Sequence, residues 1–310
     1  MTILVTGGAG FIGSNLVDFL VSNGKEVIVV DDLSTGKLDN LLSSLDEITF
    51  VESKIEDFDF SSFPSINSVI HLSAQVSVPL SITKFKESSS SNILGSICVI
   101  NFCSLNKVPL VYASSSALYG DLSFGDDSIP DIDLHSPYAA DKHCMELYSK
   151  VAHKLHNLPS IGLRFFNVYG PRQDPSSPYS GVISVFVDNL IKQQPITING
   201  GHQTRDFIYV NDVVMSIYRA YLVVNESNIC EQINVLTGNS TSVESLATMV
   251  MESFNWNVKK IYQSIKPGDI EFSVGSTEKM TKLLGIDLNN FTKIDKGLKN
   301  TIKLVKKNIT

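Results

Sequence analysis

Three groups of residues in this sequence have the types and spacings that chemistry requires. The first is a glycine turn, Gly7, Gly10 and Gly13, which follows a short apolar run and opens an amphipathic one. Gly7 permits a tight turn, Gly10 lets main chain approach a pyrophosphate, and Gly13 lets a helix pack close to the preceding strand. The helix N-terminus would then offer free N–H groups and partial positive charge to the phosphates. The second group is Tyr138 and Lys142, one helical turn apart and so on one face. A phenol with an ordinary pKa of about 10 is a poor base near neutrality, but a neighbouring ammonium and a positive nicotinamide ring would stabilise its phenolate. The third is Ser114, Ser115 and Ser116, at the end of a predicted strand between the other two. In this order the three groups describe dinucleotide chemistry with a tyrosine as proton carrier.

The elements that must position these groups follow from periodicity. Short, largely apolar runs at 3–6, 27–31, 48–51, 68–72, 110–113 and 161–164 read as strands buried on both faces. Between them 12–22, 82–105 and 137–156 read as helices. Such alternation predicts an α/β fold, a doubly wound parallel sheet of Rossmann type. The second strand ends in Asp31 and Asp32, about 20 residues past the turn, where a carboxylate meets the adenosine ribose and repels a 2′-phosphate. NAD is therefore expected rather than NADP. Past Arg172, Pro and Ser accumulate and the elements become shorter and more mixed. Residues 1–172 are expected to form the dinucleotide-binding domain carrying the catalytic residues. Residues 173–310 are expected to form a smaller, mixed α/β, substrate-binding region with some segments returning to the first.

Composition narrows the partners. A net charge of −7 argues against nucleic acid, and the basic cluster at 303–307 reads as the solvated face of a last helix. Cys98, Cys103, Cys144 and Cys230 form no CxxC pair, so free thiols and no metal are expected. No apolar run approaches the roughly 18 residues of a membrane span, and no basic leader precedes the first strand. A cytoplasmic protein is expected.

The ordered motifs resemble those of the extended short-chain dehydrogenase/reductases, and within them the nucleotide-sugar epimerase/dehydratase group. They are residues 6–13 (Thr-Gly-Gly-Ala-Gly-Phe-Ile-Gly), 69–74 (Val-Ile-His-Leu-Ser-Ala) and 112–120 (Tyr-Ala-Ser-Ser-Ser-Ala-Leu-Tyr-Gly). They continue through 136–142 (Ser-Pro-Tyr-Ala-Ala-Asp-Lys), 163–172 (Leu-Arg-Phe-Phe-Asn-Val-Tyr-Gly-Pro-Arg) and 205–210 (Arg-Asp-Phe-Ile-Tyr-Val). The resemblance implies NAD-dependent 4-epimerisation of a UDP-hexose through a transient 4-keto sugar, with Ser115 on the sugar's 4-oxygen and Tyr138 removing its proton. It implies that Phe11, Ile12, Ile55, Leu72, Ala74, Asn92 and Phe166 join the glycine turn, Asp31, Asp32, Tyr138 and Lys142 around NAD. Toward the substrate it implies Ser77, Val182 and Ile198, with Asn167 and Arg205 on the diphosphate and Lys266 and Asp269 at the nucleotide end. A homodimer built on helices 82–105 and 137–156 is implied as well.

The same resemblance separates reaction types. Related 4,6-dehydratases carry an Asp-Glu pair where this chain has Ser116 and Ala117, so the acid for dehydration is missing. Three further departures are Lys54 for an aspartate at the adenine, Lys266 for an arginine, and Ser276 where a helix-capping Asp is usual. Ser273 falls on a pocket wall that is a large tyrosine in strict UDP-glucose/UDP-galactose enzymes, so UDP-N-acetylglucosamine and UDP-N-acetylgalactosamine are expected to fit as well. Two alternatives stay open: another nucleotide-sugar reductase or dehydrogenase of this fold, and a non-catalytic dinucleotide-sensing protein.

Overall fold

A computed structural model describes residues 1–174, 181–254, 258–265 and 270–307. Its first strand shows how the sequence covers both faces of a sheet. Every side chain of Thr2–Thr6 (β1) is buried, yet Ile3 and Val5 join one apolar cluster and Leu4 another. After the glycine turn and Phe11–Ser22 (α1), Glu26–Asp31 (β2) repeats the split, with Val27 and Val29 on one face and Ile28 and Val30 on the other. Side chains alternate across a strand, so a continuous apolar run supplies two cores at once.

Ile48–Glu52 (β3) and Ile66–His71 (β4) extend the sheet. Val78–Thr83 (α2), Phe85–Ser89 (α3) and Gly95–Asn106 (α4) lead to Leu110–Ser115 (β5), and Pro137–His156 (α5) leads to Ser160–Phe165 (β6). Then come Asn167–Tyr169 (β7), Val182–Ile191 (α6), Ile196–Asn199 (β8), Thr204–Tyr209 (β9), Val210–Glu226 (α7) and Cys230–Val235 (β10). Ser240–Ser242 (β11), Val243–Phe254 (α8), Lys260–Gln263 (β12), Phe272–Ser273 (β13), Glu278–Leu284 (α9) and Ile294–Lys307 (α10) follow.

Seven parallel strands lie in the order β10-β6-β5-β4-β1-β2-β3, with α1 packed on α7 across one face and α4 on α5 across the other. The six strands expected between residues 3 and 164 are all present, and β10, from beyond residue 172, adds the seventh. Strands β7, β9, β11 and β13 form a small mixed sheet, and β8 pairs with β12. These carry a separate apolar cluster around Phe186, Ile198, Leu246 and Leu298.

The expected single helix over 82–105 is a correction. It starts earlier, at Val78, breaks at Lys84 (φ −124°, ψ 54°), and passes through a π turn at Ser90–Leu94 before α4. Its polar residues have partners elsewhere, and those partners set the path. Ser81 Oγ accepts from the Tyr138 amide, Ser88 Oγ donates to Gln75, and Asn92 reaches Gln75 and Asp141. A helix that must turn several polar side chains inward widens locally, and π turns of this kind gather at functional sites.

The glycine turn tolerates no side chain at its base. A Cβ on Gly13 would lie 2.1 Å from the Gly7 carbonyl oxygen and 2.8 Å from Gly8 Cα. Gly13→Ala should therefore cost roughly 1–3 kcal/mol of stability through overpacking. Thermal unfolding with and without NAD checks this: both the melting temperature and its rise on adding NAD should fall.

Candidate active site

The site is assembled at the C-terminal edge of the parallel sheet, where β1, β4 and β5 release their loops. Gly7 has φ +70°, and a Cβ there would lie 2.7 Å from the Ser73 amide nitrogen, so the loop after β4 seats directly on the turn. Leu72 is tied to it by its N–H on Thr6 O at 3.0 Å, and Ala74 follows, half-buried. Helix α1 begins at Gly10 with no side-chain cap, which leaves the N–H groups of Phe11, Ile12 and Gly13 at the positive end of the helix. This cradle suits a pyrophosphate. Buried Asp31 accepts from Ala9 N and Leu33 N, both at 2.9 Å; burial raises its pKa while these N–H bonds oppose the rise. Its first duty is to brace the turn, and Asp32 beside it stays exposed. Ile55 is buried against Gly95, and Lys54 is exposed.

Tyr138 and Lys142 sit in the first two turns of α5, which Ser136 caps through Ala139 N. Both are at least nine-tenths buried. The Ser115 hydroxyl is near enough to the Tyr138 phenol to lower its pKa, and Lys142 Nζ lies 5.8 Å from the Tyr138 ring centroid while donating to Ala113 O at 2.8 Å. Burial raises the Tyr138 pKa, the Ser115 hydroxyl lowers it, and the Asp141 carboxylate raises it again. Lys142 is itself pushed down to about 8 by burial, against the pull of Asp141.

Asn92 corrects a second expectation. The π turn directs it inward, where Oδ1 accepts from Gln75 N at 2.7 Å and Nδ2 donates to Gln75 O and Asp141 Oδ2. It clamps the loop after β4 to the catalytic helix. His71 reinforces the clamp, meeting Thr6 Oγ1 at 2.7 Å and Ser96 Oγ at 3.2 Å. Burial, then the Lys142 charge, pushes His71 down to about 3, so the ring is neutral.

Beneath Ser115 lies a buried polar row. Ser114, Arg164 and Asn234 are register partners across β5, β6 and β10. Arg164 grips Glu146 of α5 through Nε (2.9 Å) and Nη2 (2.7 Å), Ser114 Oγ donates to Glu146, and Arg164 Nη1 donates to the Tyr119 hydroxyl. Burial pushes the Glu146 pKa up, but Arg164, His143 and Ser114 outweigh it and leave it at about 2.

The remaining expected residues divide. Ser116, Tyr119, Phe166, Phe272 and Ser273 line one small cavity, and Ser273 is the register partner of Arg205. Asn167 and Val182 line a second cavity with Phe207. Arg205 Nη1 donates to Thr204 O, and Ser77 caps α2 through Leu80 N. Ile198 is a third correction: its side chain is fully buried in the apolar cluster of the small sheets, because alternate residues of β8 face that core. Lys266 and Asp269 lie outside the described residues.

Glu146, Tyr119, Asn234, Asp141 and Asp206 were absent from the expected site. Glu146 had a signal, since Tyr138, Lys142 and Glu146 recur every four residues on one helical face. Asp206, next to Arg205, is pushed up to about 6 by burial against the bonds it accepts from Thr237.

Fold and site together define a dinucleotide-binding α/β enzyme with a serine–tyrosine–lysine centre. The chain belongs to the NAD-dependent epimerase/dehydratase family, whose sequence model matches residues 3–235. It is 35% identical over 318 residues to a putative UDP-glucose 4-epimerase of Methanocaldococcus jannaschii, covering 99% of each chain. The UDP-glucose 4-epimerase of Thermotoga maritima, solved with UDP-glucose, superposes with a TM-score of 0.92 at 33% identity over 100% of both chains. The UDP-N-acetylglucosamine 4-epimerase of Methanobrevibacter ruminantium M1, solved with UDP-N-acetylmuramic acid, also gives 0.92, at 31% identity over 99% of this chain and 98% of that one.

Removing the Glu146 carboxylate would leave Arg164 as an unpaired buried cation. Glu146→Ala should lose about 3–5 kcal/mol of stability at neutral pH. Because the folded pKa is depressed, the carboxylate's contribution is complete above about 4.5 and disappears as pH falls through about 2. Denaturant unfolding of wild type and variant across that range should show the gap closing.

Proposed function

We propose that the protein interconverts the C4 epimers of a UDP-hexose, UDP-glucose and UDP-galactose and their N-acetylated counterparts. The observation that carries this is the grouping of Ser115, Tyr138 and Lys142, with Lys142 Nζ 5.8 Å from the Tyr138 ring, at the sheet edge that also holds the glycine turn. NAD, when bound, supplies a hydride acceptor and donor for C4. Ser115 orients the 4-hydroxyl, and Tyr138 takes its proton as the carbon is oxidised. Lys142 holds positive charge near the phenol, and Asn167 and Arg205 retain the diphosphate end. Once the 4-keto sugar has presented its other face, Tyr138 would return the proton to the 4-oxygen, with NADH, when bound, supplying the hydride for C4. Ser116 and Ala117 supply no acid to expel a hydroxyl, so the keto sugar is reduced rather than dehydrated. Ser273, small and largely buried, leaves room for an N-acetyl group beside Tyr119 and Phe272. We take residue 172 as the boundary of the cofactor unit, with α7, β10 and α9 returning to its sheet.

The NAD-loaded protein, incubated with a panel of nucleotide sugars and followed by NMR, should form the C4 epimer. Tyr138→Phe should lower kcat by about 10²–10⁴-fold, the worth of a positioned general acid–base. Absence of any hydride transfer from UDP-hexoses to the cofactor would count against the reading.

We infer further that two copies pair through α4 and α5. Leu147, Tyr148, Val151 and Leu155 form an apolar stripe along α5, with Leu155 70% exposed, and Leu94 and Leu105 extend it onto the neighbouring stretch of α4 and its approach. All four cysteines are free, which suits a cytoplasmic setting, and among the described residues no helix is long and apolar enough to cross a membrane. Val151→Glu should convert a dimer to a monomer at micromolar concentration in light scattering, with a melting temperature close to wild type once dilution effects are matched.

A further inference from the structure

The buried row beneath Ser115 does not stop at Arg164. Arg164 Nη1 donates to the Tyr119 hydroxyl at 2.8 Å, and that hydroxyl donates to Asn234 Oδ1 at 2.7 Å. Asn234 Nδ2 in turn donates to Gly125 O at 3.0 Å and Ser276 O at 3.2 Å, while Asn234 N donates to Asp127 Oδ2 at 2.7 Å. Only one orientation of the amide suits these partners, because both carbonyls demand a donor. Donation thus runs in one direction from a cation, and each link polarises the next.

The chain ends on the wall of the sugar cavity. Gly125 N donates to Val274 O and Ser276 N to Gly125 O, both at 2.9 Å, forming an isolated bridge that holds 274–276 against the loop after Tyr119. A Cβ on Gly275 would lie 2.5 Å from Gly125 O and 2.9 Å from Phe166 Cζ, so the fit admits no side chain. Val274, which lines the cavity beside Ser273, is held directly by this bridge, and Ser273 by its pairing with Arg205. Asn234 is fully buried and touches no part of the cavity itself.

We propose that Asn234, anchored through Tyr119 to the Arg164–Glu146 pair, is a positioning residue that holds segment 273–276 as one wall of the sugar site. It rests on the UDP-hexose reading for its ligand, and it sets how closely the hexose, rather than the nucleotide, is held. A sugar that must turn over between two hydride transfers needs a wall that does not drift, and Asn234 supplies the fixed end.

Asn234→Asp keeps the shape and the acceptor for Tyr119 but loses both bonds donated by Nδ2, one to Gly125 O and one to Ser276 O of the wall. Tyr119→Phe keeps the ring in the cavity and cuts the strut. In the NAD-loaded full chain, amide exchange at Gly125 and Ser276 should accelerate about tenfold in either variant, the worth of one lost hydrogen bond. UDP affinity should stay as in wild type, KM for UDP-hexoses should rise about tenfold with kcat little changed, and preference between hexose and N-acetylhexosamine should shift. Unchanged exchange in a folded Asn234→Asp, or faster exchange with KM and sugar preference unmoved, overturns the proposal. If Asn234→Asp does not fold, Tyr119→Phe decides by the same readings. A wild type that turns over no UDP-hexose sinks the function reading instead, and the exchange data still decide whether Asn234 holds the wall.

Discussion

The interaction on which the site depends is a charged pair that water does not reach. Glu146 has no exposed side-chain surface and Arg164 almost none. Desolvating two such ions costs several kcal/mol each, and only good geometry with every remaining donor and acceptor filled offsets it. Toward that offset the pair has two parallel bonds from guanidinium to carboxylate, a third bond to the carboxylate from Ser114, and a fourth from guanidinium to Tyr119. A hydrophobic replacement could match the stability. What it could not do is fix β5, β6, α5 and the loop through Tyr119 relative to one another from a single point. Ser115 follows Ser114 directly, and Tyr138 and Lys142 precede Glu146 on the same face of one helix, so the strand end and the helix that carry them are tied together by this pair.

Above the pair, burial and the nearby carboxylate work against the phenolate. Burial raises the pKa of Tyr138 and lowers that of Lys142, and the Asp141 carboxylate raises both. These directions hold the phenol protonated. A positive nicotinamide ring is the charge that would tip the balance, since an opposite charge nearby favours the phenolate. Neutral His71 fits the same logic, since a second buried cation near Lys142 would push the lysine further down.

Much of the fold was legible in the sequence because strands buried on two faces leave continuous apolar runs, and six of them stood out between residues 3 and 164. The glycine turn and the tyrosine–lysine pair were legible because each works through local spacing. The segment 82–105 was misjudged as one helix, since the reason for its irregular path lies in partners far along the chain: Tyr138 for Ser81, Asp141 for Asn92. Ile198 was misplaced because the side of a short strand that faces a core is settled by the neighbouring helices, not by the strand itself. Asn234 left no local trace. It matters because β10 is inserted beside β6, a pairing between residues that are 70 apart in the chain.

That pairing bears on how a sugar would be held. The wall segment 273–276 arrives late in the chain and meets the loop after Tyr119 through the bridge between Gly125 and Gly275. Ser273, at its start, pairs with Arg205 and so belongs to the small mixed sheet. Asn234, on β10 in register with Arg164 and through it with Ser114, refers the other end of the segment to the row directly before Ser115. On the proposed reading the diphosphate would meet Arg205 and Asn167 on the small sheet, and the sugar would lie against a wall whose two ends belong to the two sheets, so that neither end could shift without the other.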